Sequence, residues 1–264
     1  MPENHDSYTT LPFPKMRRLM VDGGRMGRQK HIIHGLLEID VTRPRRLIRA
    51  HKARTGETLS FTAFIIACLG QAMDMNKHMH AYRDWRGQLV LFDEVDVSTL
   101  FEVEVDGRKI IRPHIIRAVN HKSFRELHEE IRGFQAGHES SREARFIHWF
   151  IALPGIVRRL FYWILFKNPR WLKEYFGTAI VTAVGMFGSG AGWGIPVSNH
   201  TLQITLGGIA EKPGVIEGRI EIREYLSVTI SFDHDIVDGA PAARFAQRLK
   251  ELIEGGYGLG DEAP

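Results

Sequence analysis

The C-terminal third of the chain joins an alternating apolar segment to an amphipathic one. Val228, Ile230 and Phe232 occupy every second position, so they share one face of a predicted strand. His234 continues the same inward-facing row at the end of that strand. Apolar residues at spacings of three and four then predict a helix over 240–254. The pattern places a histidine at the edge of the core, where an imidazole can act as a base.

The same periodicities predict a fold of mixed strands and helices. Strands are predicted over 31–41, 88–91, 95–105, 110–119, 178–184, 202–209 and 221–230, and helices over 43–53, 61–75 and 123–135. Asp106-Gly107 is a signal for a two-residue hairpin turn, and loops are predicted over 185–199 and at Pro213-Gly214. This order is typical of an α/β or α+β domain with a large mixed sheet.

No stretch of the chain is rich enough in linker residues to divide it into independent domains. Residues 1–13 are predicted to form a flexible N-terminal tail, and residues 256–264 a C-terminal tail.

The apolar run over 146–166 holds Arg158 and Arg159 at its middle, where each arginine would cost roughly 2.5–3.5 kcal/mol inside a bilayer. An amphipathic insert over about 140–176, packed under the sheet or against another subunit, is therefore favoured over a membrane span or membrane-surface contact.

Charge and cysteine content narrow the classes of partner. The 264 residues carry 35 Lys and Arg against 31 Asp and Glu, with no long basic run. Nucleic acid is therefore not an expected partner, whereas a ligand with several phosphates suits the mild positive excess.

The single cysteine, Cys68, excludes an internal disulfide framework, and its apolar neighbours predict a buried, inert thiol. The N-terminus has no signal-peptide pattern, so a cytoplasmic protein is expected.

Two further patterns have simpler structural explanations than ligand binding. Four histidines lack a compatible set of carboxylate or thiol partners, so surface positions and no metal site are predicted for His31, His34, His78 and His80. The run Gly188–Gly194 has the glycines of a dinucleotide-binding loop, but a strand and not a helix is predicted to follow it. It predicts instead a flexible loop that shapes a channel wall, with Trp193 and Gly185 as candidate substrate-binding residues.

The eight residues Asp233–Ala240 read Asp-His-Asp-Ile-Val-Asp-Gly-Ala. They resemble the His-x-x-x-Asp-Gly signature of the chloramphenicol acetyltransferase-like acyltransferases, in the form carried by the catalytic domain of the 2-oxoacid dehydrogenase (dihydrolipoamide) acyltransferases. The resemblance covers residues 14–255, is strongest over 227–254 and is poor over 140–176. It implies one acyltransferase catalytic domain over 14–255, folded as a chloramphenicol acetyltransferase-like two-layer sandwich with a large mixed β-sheet and packed helices.

The resemblance also implies roles for particular residues. His234 is the implied general base, which takes a proton from a thiol. Thr182 stands where the family has a serine, and its hydroxyl is the implied hydrogen-bond donor to the oxyanion. Asp238 is the implied partner of Arg17, in a structural ion pair that holds the loop of His234.

The implied reaction moves an acyl group between coenzyme A and a thiol, amine or hydroxyl acceptor, without a metal. Lipoamide on a separate lipoyl-carrying protein is one such acceptor. In the family the active site lies between subunits, so the resemblance implies a homotrimer in which His234 and Thr182 come from different chains. A catalytically silent trimeric scaffold or ligand-binding protein, and a chloramphenicol-type drug acetyltransferase, are the alternatives, and the sequence identifies neither the acyl group nor the acceptor.

Three departures from the family pattern accompany the resemblance. Asp235 stands where an arginine usually follows the histidine. The chain shows no lipoyl domain or subunit-binding domain, and its last residues lack the apolar anchor that joins trimers into larger cores. A closed trimer, rather than a cubic core, is therefore expected.

Overall fold

The computed structural model describes residues 8–15, 17–105, 108–136, 150–185 and 190–260. Its helices are α1 (Arg17–Gly27), α2 (Thr42–Thr55), α3 (Phe61–Asp74), α4 (Phe124–Ala136), α5 (Gly155–Lys167), α6 (Pro169–Phe176) and α7 (Gly239–Gly255). Its strands are β1 (Ile32–Asp40), β2 (Tyr82–Arg83), β3 (Leu89–Val90), β4 (Val97–Val105), β5 (Arg108–Ile116), β6 (Ala179–Ala183), β7 (Leu202–Ile216) and β8 (Arg219–Asp233). The predicted turn at Asp106-Gly107 and the polar segment over 137–145 lie outside the described residues.

Six of the strands form one mixed sheet in the order β1-β8-β7-β6-β4-β5. β6 pairs in parallel with both β7 and β4, whereas the pairs β1–β8, β7–β8 and β4–β5 are antiparallel. The short strands β2 and β3 form a separate ribbon. The predicted large mixed sheet with packed helices is therefore confirmed.

One face of the sheet carries the main hydrophobic core. Val228, Ile230 and Phe232, predicted to share one face of β8, are all buried in it. Helix α3 packs against α7 and α4 in the same core. Burial there raises the pKa of the Cys68 thiol, so the prediction of a buried, inert cysteine is confirmed. Leu259, which falls in the predicted C-terminal tail, is buried in this core as well.

Strands β7 and β8 form a long hairpin whose turn the sequence analysis misplaces. The predicted loop at Pro213-Gly214 is strand, and β7 continues to Ile216. The chain reverses at Glu217 and Gly218, whose φ angles of 49° and 78° are positive at both central positions, as in a type I′ turn. Strand β6 pairs with β7 only over Leu202–Leu206, so one edge of β7 is unpaired at Pro213. A proline, which has no N–H to donate, is therefore tolerated at this position.

Helices α1 and α5 pack together around a second, smaller apolar cluster. Phe150, Tyr162 and Leu165 are buried in it, with Leu19 and Met26 of α1 against them. No helix was expected over 17–27, because two glycines in its middle lower its intrinsic helix propensity. Within the described residues, no helix is long and apolar enough to cross a membrane.

Candidate active site

His234 lies in a turn directly after β8. The strand ends at Asp233, whose carbonyl accepts hydrogen bonds from the N–H groups of Ile236 and Val237, each at 3.0 Å. Because the strand ends one residue before His234, the side chain leaves the inward-facing row and is exposed in the single chain. The expectation that His234 faces inward is therefore wrong, and its imidazole is open to a substrate or to another subunit.

The segment before β1 fixes this turn on both sides of His234. The His234 N–H donates to the carbonyl of His31 at 2.8 Å. Lys30 forms an ion pair with Asp233, whose carboxylate is buried. The ring of His31 is hydrogen-bonded to Asp235 at 2.9 Å, and this hydrogen bond holds the pKa of the Asp235 carboxyl below its ordinary value. Asp235, the departure from the family pattern, is thus an anchor of the turn in this chain.

Asp238 begins α7, and its predicted ion pair is absent from the single chain. It is the N-cap residue of that helix, but its exposed side chain makes no capping hydrogen bond. Arg17 begins α1, in the separate unit with α5, and is also exposed. No hydrogen bond or ion pair joins these two residues in the part of the chain that the structure describes. The pair stays a prediction for the assembled protein.

Thr182 lies at the end of a row of hydroxyls that crosses three strands. It is in register with Thr205 on β7, which is in register with Thr229 on β8. The Thr182 hydroxyl donates a hydrogen bond of 3.2 Å to that of Thr205. Thr205 and Thr229 are buried, and the Thr229 hydroxyl has no hydrogen-bond partner among the described residues. An unpaired buried hydroxyl marks a place where a further polar group is expected.

The face of the sheet that carries this row is polar and yet buried. Small polar side chains from β7 and β8 line it at Gln203, Ser227 and Ser231. Sequence reasoning did not select Thr205 or Thr229. The available signal was the alternation of apolar and hydroxyl residues along both strands, which marks two covered faces rather than one covered and one solvated face.

Thr182 and His234 are far apart within one chain. The five residues from Thr229 to His234 span about 16 Å along β8, and the two strand spacings from Thr182 to Thr229 add about 10 Å across the sheet. The two residues are therefore about 19 Å apart. This separation exceeds what the two side chains can bridge around one carbonyl group.

The glycine loop after β6 crosses β7 in direct backbone contact. A Cβ at Gly207 would lie 2.0 Å from the Gly192 carbonyl oxygen, and one at Gly208 would lie 1.8 Å from the Gly190 carbonyl oxygen. The Gly208 N–H donates to the Gly192 carbonyl at 3.1 Å. The loop was predicted to be flexible, but over 190–194 it is a tight crossing. Gly185 is equally constrained, because its Cβ would lie 1.8 Å from the Gly207 carbonyl oxygen.

Trp193 follows this crossing and is held against β1. Its indole N–H donates to the Leu37 carbonyl at 3.0 Å, and the Lys212 ammonium lies 6.0 Å from the ring centroid. The ring remains partly exposed, so it can form a fixed wall of a channel. Contact of Trp193 and Gly185 with a substrate stays a prediction.

Two of the buried histidines outside the predicted site, His80 and His200, have strongly lowered pKa values. His80 was expected at the surface, but it is fully buried beside the buried Met79, and in the described structure neither ring nitrogen has a hydrogen-bond partner. Burial lowers the pKa of His80 to about 4, with a smaller contribution from the nearby Lys173. Burial likewise lowers the pKa of His200 to about 4, although its Nε2–H donates to the Phe176 carbonyl at 2.8 Å. Both imidazoles are therefore neutral at pH 7.

The other histidines considered as metal ligands are exposed, as predicted: His31, His34 and His78. Among the residues described by the structure, no group of three or more His, Cys, Asp or Glu side chains is placed to hold a metal ion.

A family model matches the part of the chain that holds these features. Residues 173–259 match the model described as 2-oxoacid dehydrogenases acyltransferase (catalytic domain). The matched range contains Thr182, the glycine crossing and the whole turn of His234. The resemblance drawn from the motif is therefore confirmed.

Curated relatives agree with this match over different lengths. The dihydrolipoyllysine-residue acetyltransferase component of the pyruvate dehydrogenase complex of Staphylococcus epidermidis is 24% identical over 262 residues, which are 96% of this chain and 53% of the relative. The succinyltransferase component of the yeast 2-oxoglutarate dehydrogenase complex (Saccharomyces cerevisiae) is 36% identical over 78 residues, which are 30% of this chain and 17% of the relative. The chain thus spans about half or less of the length of these relatives.

Solved structures show the same fold over nearly the whole chain. A probable dihydrolipoamide acetyltransferase of Listeria monocytogenes superposes with a TM-score of 0.70 at 20% identity, covering 95% of this chain and 96% of that one. The dihydrolipoamide acetyltransferase of Azotobacter vinelandii, studied for the catalytic roles of a serine, a histidine and an asparagine, gives 0.70 at 17% identity, covering 97% and 96%. A chloramphenicol acetyltransferase gives 0.50 at 14% identity, covering 88% and 94%. The fold is therefore chloramphenicol acetyltransferase-like.

Proposed function

Since residues 173–259 match the model of the 2-oxoacid dehydrogenase acyltransferase catalytic domain, in a chain whose fold is similar to solved dihydrolipoamide acetyltransferases, we propose that the protein transfers an acyl group between coenzyme A and an acceptor thiol. The observation that carries the proposal is the anchored turn of His234. Three contacts with Lys30 and His31 fix this turn, while the imidazole itself stays exposed. The anchored backbone fixes the position of the imidazole, and its exposure leaves the ring accessible to the proton of a substrate, as a general base needs.

In the proposed reaction, neutral His234 accepts the proton of the attacking thiol. The sulfur then bonds to the carbonyl carbon of the acyl thioester, and the carbonyl oxygen becomes an oxyanion. The hydroxyl of Thr182 donates a hydrogen bond to that oxygen. When the intermediate collapses, the original carbon–sulfur bond breaks and the protonated His234 returns its proton to the departing thiolate. The serine and histidine named for the Azotobacter enzyme support this pairing of a hydroxyl with an imidazole.

The site is proposed to form between chains of a homotrimer. The support is the separation of about 19 Å between Thr182 and His234 in one chain, which leaves each without the other. The hairpin of β7 and β8 adds support, because between Ala210 and Tyr225 its edges pair with neither β6 nor β1. That ribbon exposes three large apolar side chains, Val215, Ile220 and Ile222. Free edges and exposed apolar residues favour contact with another chain.

The proposed acceptor is a dihydrolipoyl group on a separate protein. The curated relatives carry dihydrolipoyllysine or lipoamide in their names, which favours a dithiol acceptor over an amine or hydroxyl acceptor. Transfer to a free thiol also fits a reducing compartment, and Cys68 is free and buried. We therefore propose a cytoplasmic location. Asp238 and Arg17 are proposed to meet across the subunit boundary, and Trp193 and Gly185 to line the channel.

A thiol-release assay tests the activity. Acyl-coenzyme A thioesters of different chain length are offered with dihydrolipoamide, and released coenzyme A is measured. Turnover by the native chain and a loss of at least ~10³-fold for His234→Ala are expected. His78→Ala, which changes another exposed histidine, is the matched control and should keep full activity. Full activity of His234→Ala would refute the assignment of the base.

The same panel separates the alternatives. Transfer to chloramphenicol, but not to dihydrolipoamide, would favour a drug acetyltransferase. Thermal stabilisation by coenzyme A without turnover on any acceptor would favour a ligand-binding protein. Neither outcome is expected, because the turn of His234 is anchored as a catalytic base requires.

A further inference from the structure

Helix α5 presents an apolar face to solvent. Its buried residues, Arg158, Tyr162 and Leu165, lie on one side, packed against α1 and the second cluster. The opposite side exposes large apolar residues at spacings of four, three and one: Ile156, Leu160, Trp163 and Ile164. Leu160 is 57% exposed and Ile156 is 78% exposed. A helix packed on a protein ordinarily turns a polar side outward, whereas α5 carries large apolar residues on its buried side and on its exposed side.

Uncompensated cations border this apolar face. Arg159 and Lys167 on α5, and Arg170 on α6, are exposed and have no hydrogen bond or ion pair within the described ranges. Helix α5 contains no acidic residue. The border is therefore positive, and the apolar side chains lie between its charges.

A groove of about 430 Å³ between α1 and α5 adds two more cations to this border. Arg18 and Arg25 of α1 line the groove together with Arg159. Among the described residues that line it, the one acid is Asp22, which is buried and paired with Arg158 at 2.9 Å, so that carboxylate does not neutralise the other arginines. Within the described residues, the guanidinium groups of Arg18, Arg25 and Arg159 are left to face an anion, and such groups bind phosphate through paired N–H donors.

A second groove, of about 500 Å³, opens on the other side of α5 between two indoles. Trp163 and Ile164 line it with Trp85 and Lys167. Trp85 is 68% exposed, and the guanidinium of Arg86 lies 4.7 Å from the centroid of its ring. Exposed indoles beside cations are typical of the boundary between lipid chains and headgroups.

We propose that this surface docks on an anionic lipid bilayer. The docking face is defined by Ile156, Leu160, Trp163 and Ile164, bordered by Arg159 and Lys167. Helix α5 lies in the plane of the bilayer surface with its apolar side chains among the lipid chains, and the arginine groove receives lipid phosphates. The α5 helix has 13 residues and cannot span a bilayer, so the contact is peripheral.

Charge argues for lipid over a second copy of the chain. The docking face is positive, and the chain as a whole has a net charge of +4. A two-fold contact between docking faces would place the arginines of one copy against those of the other. An anionic bilayer supplies the opposite charge and an apolar interior in one surface. The sequence favoured packing of this segment under the sheet or against another subunit, and in the single chain that the structure describes the apolar side of α5 is exposed.

Vesicle co-sedimentation tests the proposal with the full chain. Vesicles of phosphatidylcholine mixed with phosphatidylglycerol should bind the protein, and vesicles of phosphatidylcholine alone should bind it at least ~10-fold less. Leu160→Glu should reduce binding ~10-fold or more. Met75→Glu is the matched control, because Met75 is a comparably exposed apolar residue outside the docking face, at 63%. A double variant on the border, Arg159→Glu with Lys167→Glu, is compared with a control double variant on α2, Arg46→Glu with Lys52→Glu. Both double variants change the net charge by the same amount.

The outcomes separate lipid binding from other occupants. Thermal melting and light scattering are measured for each variant before the binding assay. If Leu160→Glu changes the oligomeric state, the docking face is an interface between copies and the proposal is wrong. Equal binding of Leu160→Glu and Met75→Glu, or no binding of the native chain to anionic vesicles, would overturn it as well. Transfer activity on soluble substrates should be unchanged by Leu160→Glu, so a failure of the proposed function remains distinguishable from a failure of docking.

Discussion

The hydroxyl of Thr182 donates its hydrogen to the hydroxyl of Thr205 across the parallel pair of β6 and β7, at 3.2 Å. A hydroxyl has one hydrogen to donate. For Thr182 to donate to an oxyanion, its hydrogen must point toward the substrate. The hydroxyl of Thr205 must then be the donor in the hydrogen bond between the two threonines. Thr205 therefore becomes a positioning residue that acts through Thr182.

The first prediction concerns this pair. Thr182→Val should lower kcat ~10-fold or more, because the donor is lost, whereas Thr182→Ser should keep or raise it. Thr205→Val should lower kcat by a smaller factor and leave KM unchanged, because it removes only the support of the donor. Steady-state kinetics give both constants, and Thr205→Ser is the matched control that keeps the hydroxyl. Equal kcat values for Thr205→Val and Thr205→Ser would show that Thr205 has no part in positioning.

The second prediction concerns the site shared between chains. Inactive His234→Ala and Thr182→Val proteins, mixed under conditions that exchange subunits, should regain part of the native activity. Some interfaces of a hybrid trimer would then contain a native histidine from one chain and a native threonine from its neighbour. Mass spectrometry of the mixture verifies the exchange. An absence of rescue after verified exchange, or a monomer by light scattering, would contradict the shared site.

The third prediction concerns the ion pair that holds the catalytic turn. Lys30→Met leaves the carboxylate of Asp233 buried without its partner, at a cost of about 3–5 kcal/mol in the free energy of unfolding. Urea denaturation should show this loss. Adding Asp233→Asn removes the stranded charge and should restore much of the stability, while activity stays low because the turn is no longer anchored. Native activity in the double variant would mean that the ion pair of Lys30 with Asp233 has no effect on His234.

The fourth prediction concerns acid stability. Below pH 6.5 the unfolded chain gains protons on His80 and His200, whereas the folded chain keeps both neutral down to about pH 4. The free energy of unfolding should therefore fall as pH is lowered through this window, by roughly 3 kcal/mol for each histidine. Thermal melting between pH 7 and pH 4 measures the slope.

A variant isolates the contribution of one of these histidines. His80→Leu removes a titrating group whose neighbours include the charged Lys77, Lys173, Asp74 and Asp96, and it should flatten the dependence of stability on pH. His78→Leu, at an exposed position nearby, should leave that dependence unchanged. The same slope in both variants would contradict the assignment to buried His80.

Most of the sheet could be predicted from period two alone. The alternation in β8 identified Val228, Ile230 and Phe232 as core, and the helix after His234 began within one residue of its predicted start. The turn of the β7–β8 hairpin was misplaced, because proline and glycine suggested a loop at 213–214. Glu217 is a weak sequence signal for a positive φ, so the true turn was hidden.

The motif identified His234, but not the contacts that hold it. Lys30, His31 and Asp235 are anchors of the turn only because β1 and β8 pair with Ile32 opposite Asp233. Such register follows from the assembled sheet and not from local spacing. The hydroxyl row of Thr182, Thr205 and Thr229 is hidden for the same reason, since its members are 23 and 24 residues apart along the chain.

The glycine crossing at Gly207 sets a limit on how this protein can change. Where a carbonyl oxygen would lie 2.0 Å from a new Cβ, even alanine forces two backbones apart, so no graded series of larger side chains is available there. A saturation library should show an abrupt loss of folded protein at Gly207, with tolerance returning at Gly192, where an added Cβ would meet no atom within 4 Å. Any change in the shape of this region must then come from the residues that flank the crossing, because a side chain at Gly207 has no room.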